Sequence, residues 1–373
     1  MTDFVTTIQA ALGEVESGRE LPKASMQALV EGVLAGLVAD DDAQAAFASL
    51  LVALANRGET AAEIAGAAAA LQAHMKPLRA PEGLVLADTC GTGGDGSGSF
   101  NISTATAFVV AAAGQPVAKH GNRSVSSRTG SADVLEQLGV AIDLPPDAAS
   151  RCLKTIGICY CHAPHHHPAM ARVAPLRKKV GKPTVFNLIG PLCNPAGARV
   201  QVIGVGRPAK RRALAEAAAM LGMHRGLIVS GNIDGRAHSC LDEVSLFGPT
   251  DVLDVRDGAV EESEWRPEDF GLATRPADDE AELVVDGPEE SAGAIREVLA
   301  GGRGPRREIV LLNAAAVLWA VGRADSLPAA RELAERAIDS GDAAVVLGRL
   351  AAASRDAHTA ATPPHSPIPA HRS

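Results

Sequence analysis

The fold of this chain is decided by the stretch Asp88-Thr-Cys-Gly-Thr-Gly-Gly-Asp-Gly-Ser-Gly-Ser-Phe-Asn-Ile-Ser-Thr104. It follows the short apolar run Leu84-Val-Leu-Ala87 and precedes an alanine- and valine-rich segment, residues 105–113. That order predicts a strand, a glycine loop and a helix. Glycines let a backbone approach a ligand without a Cβ clash, and the free N–H groups at a helix start favour an anion. The stretch is therefore interpreted as a phosphate-binding loop.

Two common types of phosphate loop do not fit this sequence. The glycines of Gly91–Gly96 satisfy the dinucleotide pattern, but that pattern expects an acidic residue at the end of the next strand. The next strand candidate, Pro116–Ala118, is followed by Lys119 and His120 instead. A P-loop needs a lysine before its serine, and Asp95-Gly-Ser97 has none. A different phosphate ligand is therefore expected.

Composition sets broad limits on the protein class. The chain has 373 residues, 46% hydrophobic and 21% charged, which suits one large or two medium globular domains. Its net charge of −9 argues against a general nucleic-acid-binding protein. The start of the chain lacks a secretory signal, and no apolar run is long enough to span a membrane. Six scattered cysteines suggest reduced thiols, so a cytoplasmic location is expected.

Periodicity predicts an α/β fold with a small all-helical domain and a larger α/β domain around a mostly parallel sheet. Residues 1–79 repeat apolar side chains at helical spacing and form the predicted helical domain. The α/β domain is predicted over residues 82–164 and 193–355, where strands and helices alternate. Residues 165–192 are predicted to leave the sheet domain and pack on the helical one. Residues 356–373, with four prolines and few apolar side chains, are expected to be disordered.

A second block, Lys119–Glu136, follows the glycine loop and its helix. It concentrates lysine, arginine, serine and threonine in one predicted loop, with Ser131 as the expected N-cap of the next helix. A solvated polar loop is the plain alternative. So many anion ligands close to a phosphate loop favour a second anion pocket.

Two further constellations suggest a metal and a carboxylate-binding face. Asp242 and Glu243 follow a predicted strand, and a carboxylate pair next to two phosphate loops suits Mg²⁺. His165–His167 lie near Cys159, Cys161 and His162 in sequence, but their spacing does not match a standard zinc finger or ribbon. The segment is therefore interpreted as a basic helix face, with an arginine available to bind a carboxylate.

Several blocks occur in the order in which one known family carries them, and together they are highly specific. They are Gly91-Thr-Gly-Gly-Asp95, Asn101-Ile-Ser-Thr104, Lys119-His-Gly-Asn-Arg123, Gly130-Ser-Ala-Asp133, His167-Pro-Ala-Met170, Val185-Phe-Asn-Leu188 with Gly190-Pro191, and Leu241-Asp-Glu-Val-Ser245. The chain thus resembles the anthranilate phosphoribosyltransferases of tryptophan biosynthesis over nearly its whole length except the tail.

The resemblance implies transfer of a 5-phosphoribosyl group from 5-phosphoribosyl 1-diphosphate to anthranilate, the second step of tryptophan synthesis from chorismate. It implies two Mg²⁺ ions per subunit, a homodimer formed by the helical domain, and no nucleic-acid or membrane partner. Its implied donor ligands are Gly91, Thr92, Gly94, Asp95, Asn101, Ser103, Thr104, Lys119, His120, Gly121, Asn122 and Ser131. Its implied anthranilate ligands are Gly91, Asn122 and Arg177, its catalytic residues His120 and Arg177, and its metal ligands Ser103, Asp242 and Glu243.

The chain departs from the family pattern at two places near the expected acceptor side. Cys159-Tyr-Cys-His162 stands where an apolar, phenylalanine-rich run is expected, and Cys193 where a threonine is usual. The donor blocks are intact. Because an aromatic amine is already a neutral nucleophile, alignment is expected to matter more than a strong general base, with His120 at most an auxiliary.

Two rival interpretations are weaker. A pyrimidine nucleoside phosphorylase would share the general fold but would not need the Asp242–Glu243 pair or the Lys119–Arg123 block. A relative recruited to bind nucleic acid would favour a basic surface and eroded metal ligands, whereas here the charge is negative and the ligands are present.

Overall fold

A computed structural model describes residues 2–124, 128–236 and 240–361. Its first part is a bundle of four helices, α1 Thr2–Glu16, α2 Lys23–Ala35, α3 Asp41–Arg57 and α4 Ala61–Ala73. The Asp40 carboxylate accepts from the Ala43 N–H and caps α3, and a Thr60–Glu63 capping box starts α4. Gly66 lets α4 lie close to α2, since a Cβ there would be 2.4 Å from the Lys23 carbonyl oxygen.

Eight strands form one sheet in the described residues, in the order β3-β2-β1-β4-β5-β7-β8 with β6 on β5. They are β1 Ala87–Gly91, β2 Val117–Gly121, β3 Ile158–His162, β4 Val200–Gly204, β5 Arg225–Asn232, β6 Cys240–Leu241, β7 Thr250–Arg256 and β8 Ala259–Trp265. The first five in that order pair in parallel, and β6, β7 and β8 pair antiparallel. The carboxyl ends of the parallel strands therefore meet at one edge, where ligands bind in such sheets.

Helices cover both faces of this sheet. They are α5 Ile102–Ala112, α6 Ser131–Gln137, α7 Pro146–Ile156, α8 Ala163–His166, α9 Ala174–Val180, α10 Val185–Leu188, α11 Arg211–Met220, α12 Pro288–Leu299, α13 Pro305–Ala320, α14 Leu327–Asp339 and α15 Asp342–Ala361. Short 3-10 helices occupy Pro168–Arg172, Gly190–Cys193, Pro208–Lys210, Pro267–Phe270 and Ala277–Leu283. None of the helices in these ranges is long and apolar enough to cross a membrane.

The buried apolar side chains form two clusters, one on each face of the sheet. Leu227 and Val229 of β5 belong to the cluster under α5 and α13, whereas Ile228 between them belongs to the other cluster. That other cluster is continuous with the core of the four-helix bundle and includes Val173 and Phe186. The bundle and the 165–192 segment therefore bury one face of the sheet rather than forming a separate core.

The predicted α/β fold with a helical part is confirmed, and two local expectations are wrong. The first strand is Ala87–Gly91 rather than Leu84–Ala87, because pairing with β4 starts at Ala87 and Leu84 is 40% exposed. Strand β2 continues through Lys119 and His120, so these two residues do not belong to a loop. Helix α15 extends to Ala361, and Ala357 in its last turns packs against the core. The expected disorder of residues 356–373 stays a prediction, and residues 362–373 lie outside the described ranges.

Candidate active site

A cleft of about 750 Å³ lies at the carboxyl edge of the sheet, between the glycine loop and the 165–192 segment. A volume of this size suits a small-molecule ligand. Many of the site residues predicted from sequence line it, namely Gly91, Thr92, Gly94, Asp95, Asn101, Ser103, Lys119, His120, Gly121, Asn122, Ser131, Arg177, Asp242 and Glu243. The fold thus brings together blocks that are up to 152 residues apart in the sequence, from Gly91 to Glu243.

The glycine loop is shaped by its contact with the Asp242 segment. The Gly93 N–H donates to Asp242 Oδ2 at 3.0 Å, and a Cβ on Gly91 would lie 2.5 Å from the same oxygen. On the neighbouring strand, a Cβ on Gly204 would lie 1.6 Å from the Asp242 carbonyl oxygen. Gly94 has φ +83°, a conformation that favours glycine. Glycine is therefore required at Gly91 and Gly204 for close approach and at Gly94 for backbone conformation.

Strand β6 explains how Asp242 and Glu243 reach this edge. It pairs antiparallel with β5, Leu241 opposite Gly231, and so returns the chain to the carboxyl end of the parallel strands. Burial, and then repulsion from Asp95, raises the pKa of Asp242 to about 7. Burial and the Asp242 charge also raise the pKa of Glu243 well above its usual value, although Lys119 opposes the rise. These crowded carboxyl groups would be stabilised as anions by a bound cation.

Ser103 and Lys119 complete the oxygen-rich end of the cleft. The Ser103 N–H, in the first turn of α5, faces the Glu243 carboxylate. Lys119 Nζ donates to the Thr89 carbonyl oxygen at 2.6 Å and to Ser103 Oγ at 3.3 Å. The lysine is 4% exposed, and burial lowers its pKa. It donates to Ser103 and supplies a positive charge that acts on Glu243.

Asn101 and Thr104, both expected to hold the donor, differ in position. Asn101 Oδ1 accepts hydrogen bonds from Thr129 and Ser291, which fixes the side chain at the cleft. Thr104 is fully buried, its Oγ1 has no hydrogen-bond partner in the described residues, and it does not line the cleft. The Thr104 side chain thus faces the core at the third position of α5, and a donor contact by this residue stays a prediction.

The second loop contributes Gly121, Asn122 and Ser131 to the cleft. Ser131 Oγ lies 3.3 Å from the Asn122 carbonyl oxygen and 3.2 Å from the Tyr160 hydroxyl. Ser131 is not the N-cap of α6, since Gly130 occupies that position and Asp133 accepts from its N–H. The predicted cap is thus wrong because the helix begins at Ser131 itself, one residue after the cap position held by Gly130.

The arginines around the cleft are not equivalent. Arg123 is paired with Asp133 and Glu136, and Arg128 forms an ion pair with Asp286 at 2.8 Å.

By contrast, Arg177 and Arg207 line the cleft and form no side-chain hydrogen bond or ion pair with any residue in the described ranges. Arg207, 4.0 Å from a Cβ built on Gly94, was missed from the sequence. Its position shortly after the carboxyl end of β4 could have indicated it in the sequence.

His120 is a buried, neutral side chain. It is 8% exposed, and its ring lies 5.1 Å from that of His167. Burial, followed by repulsion from His167, lowers the pKa of His120 to about 3. Its Nε2 has no hydrogen-bond partner among the described residues. At neutral pH this imidazole holds no extra proton and can only accept or donate as the neutral ring.

Asp88 was not predicted from the sequence, and it lies on β1 next to the strand that carries Lys119 and His120. Its buried carboxylate accepts from Asn194 Nδ2 at 2.7 Å and from the His120 N–H at 3.2 Å. It also attracts the neighbouring Lys119, which opposes the rise in its pKa caused by burial. Asp88 therefore fixes the β2 segment that carries Lys119 and His120.

The departures from the family pattern lie behind the cleft. Cys159 and Cys161 are buried in β3 with their Sγ atoms 4.0 Å apart, and Cys193 is fully buried. None of Cys159–His162 or Cys193 is among the residues that line the cleft. These residues do not reach the cleft, because β3 is buried along its whole length and Cys159, Tyr160 and Cys161 all pack in the core.

Comparisons with known proteins agree with this geometry. Residues 84–344 match the model of the glycosyl transferase family, a/b domain, and residues 9–75 match its helical bundle domain. An anthranilate phosphoribosyltransferase of Rubrobacter xylanophilus is 44% identical over 93% of this chain and 98% of its own length. One from Thermomicrobium roseum is 48% identical over 85% of this chain and 89% of its own length.

Solved structures give the same result. The anthranilate phosphoribosyltransferase of Thermus thermophilus superposes with a TM-score of 0.82 at 40% identity, covering 92% of this chain and 99% of that one. The Saccharomyces cerevisiae enzyme, solved in complex with PRPP and Mg, superposes with a TM-score of 0.83 at 26% identity, over 94% of this chain and 98% of that one. From its sequence, its fold and its cleft, this chain belongs to the anthranilate phosphoribosyltransferase family.

Proposed function

We propose that the cleft transfers the 5-phosphoribosyl group of 5-phosphoribosyl 1-diphosphate to the amine of anthranilate, giving N-(5-phosphoribosyl)anthranilate and diphosphate. One observation carries the proposal: a glycine loop backed by Asp242 and Glu243 faces the same cleft as Arg177. The loop and carboxylates suit a metal-bound diphosphate. A guanidinium without a partner in the described residues suits the carboxylate of the acceptor.

Ser103, Asp242 and Glu243 fit Mg²⁺, because they offer hard oxygen donors that are crowded together without enough positive charge. When bound, Mg²⁺ neutralises the diphosphate and makes it a better leaving group. Two ions per subunit are proposed because the two carboxylates have different neighbours. Asp242 faces Gly93 and Asp95, whereas Glu243 faces Ser103 and Lys119. Calorimetric titration of Mg²⁺ in the presence of the donor would give the stoichiometry.

The donor's phosphate groups are proposed to bind at the two loops that converge on the cleft. The proposed donor ligands are Gly91, Thr92, Gly94, Asp95, Asn101, Ser103, Thr104, Lys119, His120, Gly121, Asn122 and Ser131. Arg207 is added to this set, because it stands opposite Gly94 with a free guanidinium in the described structure. Charge-assisted contacts of this type stabilise a leaving group where its negative charge develops.

The acceptor is proposed to bind between Arg177 and Asn122, with its amine directed to the ribose over Gly91. Loss of diphosphate leaves positive charge on the ribose, so separating these charges is the main barrier. The amine is neutral and needs alignment more than deprotonation. His120, neutral because its pKa is about 3, is assigned an auxiliary role as a hydrogen-bonding group rather than as a strong base.

Two wider features also belong to this proposal. A homodimer through the helical domain is supported by a groove of about 830 Å³ between α1, α3 and α9, lined by Val15, Ala48 and Val52 among others. Sedimentation equilibrium of the full chain would give its mass in solution.

A cytoplasmic location is supported by the six cysteines, all of which are free thiols.

The first test is the loss of anthranilate fluorescence in the presence of purified protein, 5-phosphoribosyl 1-diphosphate and Mg²⁺. The expected loss requires both donor and metal and is absent in Asp242→Ala. Release of diphosphate with another aromatic amine but not with anthranilate would refute the assigned acceptor. No reaction with any aromatic amine would refute the proposed transfer.

A further inference from the structure

Three side chains converge outside the cleft, at the corner where β3 meets α8. Asp143 Oδ1 lies 3.1 Å from His162 Nδ1 and 3.2 Å from His165 Nε2. These three atoms all lie within 4.8 Å of one another, and within the described ranges no other trio of histidine, cysteine or carboxylate ligands does so. The proposed magnesium site is thus separate from this cluster.

The separations match those of ligands around one metal ion. Two ligands at about 2.0–2.1 Å from a tetrahedral ion are about 3.3 Å apart. The two nitrogen–oxygen distances, 3.1 and 3.2 Å, are close to that value. Two imidazoles and one carboxylate, with a fourth position left for water, form a donor set suited to Zn²⁺ and similar transition metals.

The fold positions these ligands firmly. His162 ends β3 in register with Gly121, and its side chain is 7% exposed. Asp143 lies between the buried side chains of Ile142 and Leu144, which fix its backbone while its own side chain stays 54% exposed. His165 is 39% exposed. One ligand is therefore anchored in the protein and two face solvent, from which an ion can enter.

The charges around the cluster partly balance. Arg123 repels positive charge at His162, but its guanidinium is paired with Glu136 and Asp133, and Asp143 attracts positive charge there. Without a metal, Asp143 would accept two hydrogen bonds at one oxygen from two imidazole N–H groups. Cys159 and Cys161, considered with these histidines from the sequence, lie elsewhere in the core and point to each other.

We propose that Asp143, His162 and His165 bind one divalent transition-metal ion of the Zn²⁺ class. The ion would tie the loop after α6 to the corner that carries Ala163 and Pro164, two residues that line the cleft. Sequence spacing alone could not show this site, because the carboxylate comes from a separate loop.

The test uses the untagged full-length protein, stripped of metal and kept in excess Mg²⁺ so that the cleft carboxylates are occupied. Zn²⁺ is titrated by calorimetry, and Co²⁺ binding is followed by visible absorption. His165→Ala and Asp143→Ala remove partly exposed ligands, so both variants should fold, which circular dichroism checks. Each should lower Zn²⁺ affinity at least about 100-fold, since even indirect partners of metal ligands cost 10–100-fold.

The matched control is His224→Ala, which breaks a surface His224–Asp257 pair that lacks a second histidine. It should leave Zn²⁺ affinity and the Co²⁺ spectrum unchanged. Tight binding by the parent that is lost in both ligand variants supports the site. The proposal is overturned if the parent does not bind Zn²⁺, if the ligand variants bind as the parent does, or if only one of the two variants loses binding.

Discussion

Replacing Asp242 by asparagine should stabilise the metal-free protein while abolishing activity. The carboxyl group is held in a half-buried site beside Asp95, and its pKa is about 7 instead of the ordinary 3.8. A carboxyl whose pKa is raised in the folded state adds stability below its unfolded pKa and loses it as the pH rises through the folded value. At neutral pH and above, the ionised Asp242 therefore destabilises the metal-free fold.

The size of this effect follows from the pKa difference. Raising the pKa from 3.8 to about 7 corresponds to about 4 kcal/mol of unfolding free energy at alkaline pH. Because the side chain keeps some contact with solvent in the cleft, about half of this, ~2 kcal/mol, is expected on neutralisation. Asparagine keeps an oxygen that can accept from the Gly93 N–H, so this hydrogen bond is retained.

Urea unfolding in EDTA would measure the effect for the parent and Asp242→Asn. The variant should gain about 2 kcal/mol near pH 8 and less than half of that near pH 5, where the folded parent is already protonated. Asp278→Asn, with a fully exposed side chain, serves as the control and should show no change. A variant no more stable than the parent near pH 8, or a gain equal at both pH values, would refute the reasoning.

Three further substitutions test the cleft. Gly91→Ala places a Cβ 2.5 Å from Asp242 Oδ2 and should lower kcat/KM about 100-fold by displacing that carboxylate. The control Gly293→Ala adds its Cβ in open space and should leave kcat/KM unchanged. Equal kcat/KM values for Gly91→Ala and the parent would disprove the need for close approach. His120→Ala should lower kcat less than about tenfold and leave the pH profile of kcat above pH 5 unchanged, because the pKa of His120 is about 3. A loss of kcat as large as that of Asp242→Ala would contradict this expectation. Arg177→Lys should raise KM for anthranilate about tenfold and leave KM for the donor unchanged, and equal changes in both would argue against a carboxylate contact.

The sequence predicted the features whose residues are consecutive in the chain. The glycine loop carries a local pattern of its own, whereas the second loop and the Asp242–Glu243 pair gained meaning from occurring with it. The order of these blocks gave the resemblance to the family. The sequence-based prediction failed for Ser131 as the N-cap of α6. Serine suits that role, but the backbone places Gly130 at the cap position and makes Ser131 the first helical residue.

The sequence by itself determined the fold class and the family, because strand-loop-helix periodicity and ordered glycine-rich motifs are local properties of the chain. Only the tertiary structure decided which charged groups are free: Arg123 is held by carboxylates, whereas Arg177 and Arg207 face the cleft. It alone joined Asp143 to His162 and His165, and Asp88 to the strand under His120. Pairing, burial and charge balance arise between segments distant in the chain, so no local pattern encodes them.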